Sequence, residues 1–190
     1  MILLDGKALS EKIKEEVKVE VAQLVEEKQI TPGLAVILVG NDAASATYVA
    51  SKAKSCKNAG IYSVVHEMPE SITQAELLET IARMNENPKL DGILVQLPLP
   101  KHIDTTVVLE AIDPLKDVDG FHPYNVGRMV SNLDAFLPAT PFGVMRMFQE
   151  YGIELSGKNV VVIGSSDIVG KPMASLLINA KATVTVCNSR

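Results

Sequence analysis

The stretch VVVIGSSDIVGKP, residues 160–172, joins an apolar run to a glycine-containing turn, and a helical pattern and the apolar run ATVTVC, residues 182–187, follow it. This order predicts a strand, a tight turn, a helix and a second strand. A βαβ unit of this kind brings backbone N–H groups and a helix N-terminus to one place, where a phosphate group can bind. The stretch therefore predicts a Rossmann-type dinucleotide-binding fold.

Upstream of this stretch, helical and strand patterns alternate. Residues 8–28 carry apolar side chains at three- and four-residue steps, which indicates an amphipathic helix, and residues 34–39 are apolar on both faces, as in a buried parallel strand. Further segments continue the alternation: helix 43–59, strand 62–68, helix 74–85 and strand 90–97. Short connections between alternating elements predict an α/β fold with a parallel sheet covered by helices on both faces.

The domain boundary is expected where prolines concentrate. Six prolines fall between residues 98 and 141, in a region that combines a helix near 105–112 with an irregular polar stretch. We assign residues 1–139 to an α/β domain and residues 140–190 to a linking helix, 141–151, followed by the first part of a Rossmann-type domain. Because the chain ends after one βαβ crossover, we expect this second domain to be incomplete.

Composition and charge argue against several functional classes. The formal net charge is −5, no dense run of Lys or Arg occurs, and the chain has no Trp and only four Phe and four Tyr, so no nucleic-acid partner is expected. The two Cys and three His are dispersed, which supports neither a disulfide framework nor a metal site. The amino terminus lacks a signal-peptide pattern, so we expect a cytoplasmic protein without membrane association.

One residue pair with acid–base chemistry follows the first buried strand. Tyr48 and Lys52 are four residues apart on the predicted helix and share one face. A lysine partly removed from water at the carboxyl end of a buried strand is useful as an acid–base group, and a phenol beside it can assist proton transfer. A solvent-exposed Tyr–Lys pair with no chemical role is the alternative.

Two further polar features occupy positions that favour ligand binding. Gln96 closes a buried strand in the run GILVQLPLP, residues 92–100, and it either caps the loop by a hydrogen bond or contributes to a site. The run DVDGFHPYNVGR, residues 117–128, is dense in functional groups without regular periodicity. There, Asp119 either forms an Asx turn with Gly120 or accepts hydrogen bonds from an amino-pyrimidine ring.

Four segments, in this order and at this spacing, resemble the bifunctional methylenetetrahydrofolate dehydrogenase/cyclohydrolase family. They are YVASK at 48–52, GILVQLPLP at 92–100, DVDGFHP at 117–123 and GSSDIVGKP at 164–172. The similarity covers essentially the whole chain. It implies an amino-terminal folate-binding domain, a second domain that binds NADP, and a homodimer active in one-carbon metabolism and purine biosynthesis.

The resemblance implies roles for individual residues. Lys52 would be the acid–base residue, Tyr48 would pack against the folate, Gln96 would orient Lys52, and Asp119 would hold the pterin ring. Leu97 and Pro98 would also contact the folate. The cofactor would be bound by the following residues: Thr140, Gly164, Ser165, Ser166, Val169, Gly170, Ser189 and Arg190.

The implied reaction has two steps at one site. A hydride passes from the methylene carbon of 5,10-methylenetetrahydrofolate to NADP, and water then opens the resulting 5,10-methenyl cation to 10-formyltetrahydrofolate. A lysine suits this chemistry because a neutral amine can take a proton from water, whereas a permanently charged guanidinium would repel the cation.

Three positions depart from the family pattern. Ser165 stands where many members have Arg, Ala139 replaces a usual Cys, and Asn188 replaces a usual His. Loss of the Arg leaves NAD open as the cofactor, because that Arg would meet the 2′-phosphate of NADP. The end of the last strand nevertheless has no acid for a ribose 2′-hydroxyl, and Ser189 and Arg190 suit a phosphate, which favours NADP over NAD.

Two other functions compete with this interpretation. Short-chain dehydrogenases also use a Tyr-x-x-x-Lys pair, but their glycine turn precedes the pair, whereas here Tyr48 precedes Gly164. A cofactor-binding fragment without activity is the second alternative, which the expected truncation supports.

Overall fold

The computed structural model describes residues 3–188, which form two compact units. The first unit comprises residues 10–117. Its sheet contains β1 (Gly33–Val39), β2 (Tyr62–Met68) and β3 (Gly92–Val95), all parallel, in the order β2-β1-β3. The accompanying helices are α1 (Gly6–Lys28), which belongs to this unit from Ser10 onward, α2 (Ala43–Ala59), α3 (Gln74–Glu86) and α4 (Thr105–Glu110).

The central strand β1 is buried on both faces. Ala35, Ile37 and Val39 belong to one cluster with the apolar side chains of α3 and α4. Val36 and Leu38 point to the opposite face, because side chains alternate along a strand, and they are also buried. On the order of 1.5–3 kcal/mol is gained for each such side chain removed from water, so this strand anchors the unit. The predicted α/β fold with a parallel sheet is confirmed.

The second unit comprises residues 3–9 together with residues 118–188. It contains α5 (Pro123–Val130), α6 (Ala139–Glu150), β4 (Asn159–Ile163), α7 (Gly170–Asn179) and β5 (Thr183–Cys187). Strands β4 and β5 are parallel, and α7 packs Met173, Leu176 and Leu177 into a cluster with the inward-facing valines of the strands, Val160, Val162 and Val184. The predicted strand–turn–helix–strand unit therefore forms.

The structure corrects the sequence prediction for residues 117–128. The second half of this run is not irregular, because α5 begins at Pro123. His122 caps the helix, accepting a hydrogen bond at Nδ1 from the Tyr124 N–H at 3.0 Å, and a proline in the first turn has its backbone set for a helix. Eight residues contain too few apolar repeats for the helical period to be recognised.

The predicted domain boundary between residues 139 and 140 differs from the division of the structure, in which residues 118–139 belong to the second unit. Gly120 shows why, since a Cβ atom at this position would lie 2.7 Å from the carbonyl oxygen of Phe136 and 2.9 Å from the nitrogen of Pro138. The two backbone segments are thus packed directly against each other.

Strand β3 is shorter than the predicted segment 90–97, because its pairing with β1 covers Gly92–Val95.

Candidate active site

The end of β1 positions the helix that carries Tyr48 and Lys52. Gly40 has a φ of +83°, which favours glycine, and its N–H donates to the carbonyl of Met68 at 2.9 Å. Asp42 then caps α2 by accepting a hydrogen bond from the Ser45 N–H at 2.7 Å. The helix therefore starts at the carboxyl edge of the sheet, where ligands of parallel α/β folds bind.

Lys52 and Gln96 are in direct contact. Lys52 Nζ donates to Gln96 Oε1 at 3.0 Å, and Gln96 Nε2 donates to the carbonyl of Leu97 at 2.8 Å. The Gln96 backbone N–H donates to the carbonyl of Ile37 at 2.9 Å and so continues the β1–β3 pairing. With its amide nitrogen committed to a carbonyl, Gln96 presents its oxygen to the lysine. Gln96 thus makes the predicted loop hydrogen bond and also contacts Lys52, while its contribution to a site stays a prediction.

Tyr48 lies one helical turn before Lys52 and is 65% exposed, whereas Lys52 is partly buried. An exposed aromatic ring beside a partly buried amine offers a planar surface to a ring-shaped ligand. The two residues therefore differ in environment even though they share a helix face.

A pocket of about 360 Å³ opens at the same edge of the sheet. Gly40, Asn41 and Asp42 line it after β1, Glu70 lines it after β2, and Pro98 lines it after β3. The peptide bond between Leu97 and Pro98 is cis. Leu97 and Pro98, for which the family resemblance implies contact with the folate, thus lie in the loop that borders this pocket, and their contact with folate stays a prediction.

Sequence reasoning missed Lys116, which anchors the segment leading to Asp119. Its ammonium group donates to the carbonyls of Met84, Asn85 and Asn87, at 3.4, 2.7 and 3.0 Å respectively, at the end of α3. The Asn85 side chain adds hydrogen bonds to the backbone at residues 111 and 113. A lone lysine in a polar run gives no periodic signal, so only the folded chain reveals this role.

The run DVDG divides between the two units. Asp117 is 1% exposed and pairs with Ile93 of β3 in an isolated β-bridge, while Asp119 is partly buried and belongs to the second unit. Gly120 has a φ of +66°, so the chain turns directly after Asp119. A turn of the chain is therefore present, and both the Asx turn and the ligand-binding role of Asp119 stay predictions.

The predicted cofactor loop follows β4. Gly164 has a φ of +108°, and its N–H donates to the carbonyl of Cys187 at 2.9 Å. A Cβ atom on Gly170 would lie 2.2 Å from the carbonyl oxygen of Gly164, so only glycine permits this approach of helix to loop. Close packing of a helix on its strand is the role of the last glycine in a dinucleotide-binding turn.

The loop itself occupies the first N–H groups of α7. The Gly170 N–H donates to Ser166 Oγ at 3.3 Å, the Lys171 N–H donates to the Ser166 carbonyl at 3.0 Å, and Pro172 has no N–H. These groups are therefore engaged within the protein, which the sequence pattern does not reveal.

Two of the three departures from the family pattern lie together. Ser165 Oγ donates a hydrogen bond to Asn188 Oδ1, which joins the loop after β4 to the end of β5. Thr140 is exposed in the first turn of α6. Ser189 and Arg190, which the sequence offers for the 2′-phosphate, lie outside the described residues.

Two family models match this chain. Residues 4–119 match the catalytic domain of the tetrahydrofolate dehydrogenase/cyclohydrolase family, and residues 138–190 match its NAD(P)-binding domain. The chain belongs to this family. The family predicted from the ordered motifs is thus confirmed, and the first match contains the Lys52–Gln96 contact.

Relatives of known identity agree with this assignment. The chain is 91% identical over 190 residues to the bifunctional protein FolD of Aliarcobacter butzleri, covering 100% of this chain and 66% of that protein. It matches the FolD crystal structure from Campylobacter jejuni with a TM-score of 0.97 at 55% identity, covering 100% of this chain and 67% of that one. The chain therefore spans about two thirds of the length of these relatives.

A third relative has been solved with a bound cofactor. The Trypanosoma brucei N5,N10-methylenetetrahydrofolate dehydrogenase-cyclohydrolase, in complex with NADP and an inhibitor, has a TM-score of 0.94 and 39% identity, over 97% of this chain and 63% of that one.

Within residues 3–188, no group of three His, Cys, Asp or Glu side chains can hold a metal ion. None of the helices in that range has the length and apolar character needed to cross a membrane.

Proposed function

We propose that this chain oxidises 5,10-methylenetetrahydrofolate with NADP and hydrolyses the methenyl product to 10-formyltetrahydrofolate, in one-carbon metabolism. The observation that carries the proposal is the 3.0 Å hydrogen bond from Lys52 Nζ to Gln96 Oε1 at the carboxyl edge of the sheet. The family match and the names of the FolD relatives support it.

In this proposal Lys52 is the acid–base residue of the hydrolytic step. Its neutral amine uses one N–H to bind Gln96 and takes a proton from the attacking water with its lone pair. Gln96 is a positioning residue, since its oxygen fixes the direction of the amine. A neutral amine also avoids repulsion of the methenyl cation. Tyr48 packs against the folate, and Asp119 accepts hydrogen bonds from the pterin ring.

The turn after β4 fits a dinucleotide-binding turn, because Gly170 lets the helix α7 pack directly on the backbone of Gly164, the role of the last glycine in such turns. The residues that would hold NADP are Thr140, Gly164, Ser165, Ser166, Val169, Ser189 and Arg190, with Gly170 supplying the close packing. NADP, when bound, accepts the hydride. The complex of NADP with the Trypanosoma brucei relative supports this cofactor. The family resemblance also supports a homodimer in the cytoplasm.

The proposal is tested by substituting Lys52. In Lys52→Gln we expect the hydrolysis rate of 5,10-methenyltetrahydrofolate, followed by its absorbance, to fall by at least about 100-fold, which is typical for loss of a general acid–base group. Tetrahydrofolate affinity should change only a few-fold. Lys57→Gln is the matched control, because Lys57 is exposed on the same helix, and it should retain the wild-type rate. Hydrolysis at the wild-type rate in Lys52→Gln would refute the role of Lys52.

A second variant separates positioning from proton transfer. Gln96→Ala removes the amide oxygen that orients the amine but leaves Lys52 in place. We expect kcat to fall about tenfold with little change in KM, because alignment matters at the transition state and not for folate binding. An unchanged kcat would show that Lys52 needs no partner.

A further inference from the structure

The loop between β3 and α4, residues 96–104, is fastened at its far end to the segment where α3 begins. His102 Nε2 contacts the carbonyl oxygen of Ile72 at 2.9 Å, and the Asp104 N–H donates to Gln74 Oε1 at 2.7 Å. A carbonyl oxygen only accepts, so the His102 ring is the donor and Nε2 carries the hydrogen. We call these two hydrogen bonds, each between residues 30 positions apart, the loop clamp.

Both sides of the loop clamp are themselves held in place. On the loop, Ile103 is buried in the apolar cluster of the first unit, and on the other side Ile72 packs against the same cluster. Thr73 and Glu76 form a capping box at the start of α3, which fixes the backbone next to Gln74. The loop clamp therefore joins two ordered segments of the same unit.

The prolines of the loop leave it with few donors of its own. Pro98 and Pro100 have no N–H group, so neither can donate to a neighbouring segment. The Gln96 N–H pairs with the carbonyl of Ile37 at the start of the loop, and the Ile103 N–H donates to the carbonyl of Pro100 at 3.0 Å within it. The loop clamp thus secures the end of the loop that strand pairing does not reach.

The loop clamp also connects two walls of the pocket at the carboxyl edge of the sheet. Pro98 lines this pocket from the loop, and Glu70 lines it from the segment after β2. At the start of the loop, the carbonyl of Leu97 accepts the hydrogen bond from the Gln96 amide. A loop held at both ends keeps this carbonyl in place, and through Gln96 it keeps the direction of the Lys52 amine.

We propose that His102 is a positioning residue for the hydrolytic step. Its ring holds the loop, the loop holds the carbonyl that orients Gln96, and Gln96 directs the Lys52 amine. Gln74 has the same role on the other side of the loop clamp. This inference rests on the proposed function, because it takes Lys52 as the group that accepts the proton of water.

The test replaces His102 and follows the hydrolysis of 5,10-methenyltetrahydrofolate. His102→Phe keeps a ring without an N–H, whereas His102→Gln keeps an N–H donor. Loss of one hydrogen bond of about 1 kcal/mol net corresponds to about fivefold, so kcat of His102→Phe should fall about fivefold. KM should change less, because alignment matters at the transition state. His102→Gln should retain most of the activity, and Lys101→Gln, at an exposed neighbour outside the loop clamp, should match the wild type.

Two further measurements separate positioning from a general loss of stability, with urea unfolding to establish that each variant is folded under the assay conditions. In the Gln96→Ala background, His102→Phe should lower kcat by about twofold or less, because the route through Gln96 is already broken. Gln74→Met removes the acceptor of the Asp104 N–H, so amide exchange at Asp104 should accelerate about fivefold. Its kcat should fall by a factor similar to that of His102→Phe.

An unchanged kcat in both His102→Phe and Gln74→Met would overturn the inference and leave the proposed function intact. The same conclusion would follow if His102→Gln were as slow as His102→Phe, or if the full loss persisted in the Gln96→Ala background. Absence of hydrolysis by the wild type would refute the proposed function and this inference with it.

Discussion

Replacing Gly170 by alanine tests whether the helix α7 and the loop after β4 meet as closely as the structure shows. The added Cβ atom would lie 2.2 Å from the carbonyl oxygen of Gly164 and 2.7 Å from its carbonyl carbon and from the Cα of Ser165. All three contacts are with backbone atoms, so no side chain can rotate away. The helix and the loop would have to separate by about 1 Å.

The expected cost follows from two opposing effects. Overpacking that displaces backbone typically costs about 1–3 kcal/mol, while a change from glycine to alanine without strain stabilises by about 0.4–1 kcal/mol. We therefore expect the free energy of unfolding to fall by about 1–2 kcal/mol in Gly170→Ala. The displaced loop should also bind NADP more weakly, because its backbone forms the proposed phosphate cradle.

The assay is urea unfolding followed by circular dichroism, with amide hydrogen exchange of β4 to localise the effect. Exchange should become about tenfold faster for each 1.4 kcal/mol lost. Gly127→Ala and Gly143→Ala are the controls, because they lie in α5 and α6 of the same unit and a Cβ atom there meets nothing within 4 Å. These controls should gain stability. Equal or greater stability of Gly170→Ala would refute the close approach.

Three further predictions concern the first unit and the two thiols. Hydrogen bonds from Thr73 hold the pKa of Glu76 below its ordinary value, so the wild type should be more stable than Glu76→Gln at neutral pH. This advantage should vanish as the pH falls through the folded-state pKa, where the carboxyl becomes protonated, and urea unfolding at several pH values measures it. Lys116→Met should lower the free energy of unfolding by about 2 kcal/mol, because it removes hydrogen bonds from a charged group to three carbonyls; an unchanged urea midpoint would contradict this. Burial raises the pKa of the Cys56 thiol, whereas Cys187 is exposed; peptide mass spectrometry should show iodoacetamide on Cys187 well before Cys56.

Much of the fold was predictable because its signals are local. The apolar run of β1 and the amphipathic pattern of α1 each lie within one segment, and both elements form within a few residues of the predicted limits. The helix α5 was missed, because eight residues carry little periodicity and its cap is an unusual histidine side chain. The close packing of Gly120 on Phe136 joins positions too far apart for any local pattern to show.

In the candidate site, too, the sequence predicts the residues but not the contacts between them. The position of Lys52 and of Gln96 after a buried strand predicts a role for each, and the motifs of the family can be read in order along the chain. Their hydrogen bond, however, joins residues 44 positions apart, and the pairing of β1 with β3 brings them together. A recess between α1 and α2 likewise combines residues from two separate segments of the chain.

The sequence by itself thus determined the α/β class, the family and the residue types that carry the proposed chemistry, because periodicity and motif spacing are properties of the chain. The tertiary structure decided which polar groups meet. It orients the Gln96 amide through a hydrogen bond to the Leu97 carbonyl. It also pairs the Gly170 N–H of α7 with Ser166 Oγ and places the Lys116 ammonium group against a carbonyl at the end of α3. Hydrogen bonds act over about 3 Å in space and are independent of separation along the chain, so only folding reveals these partners.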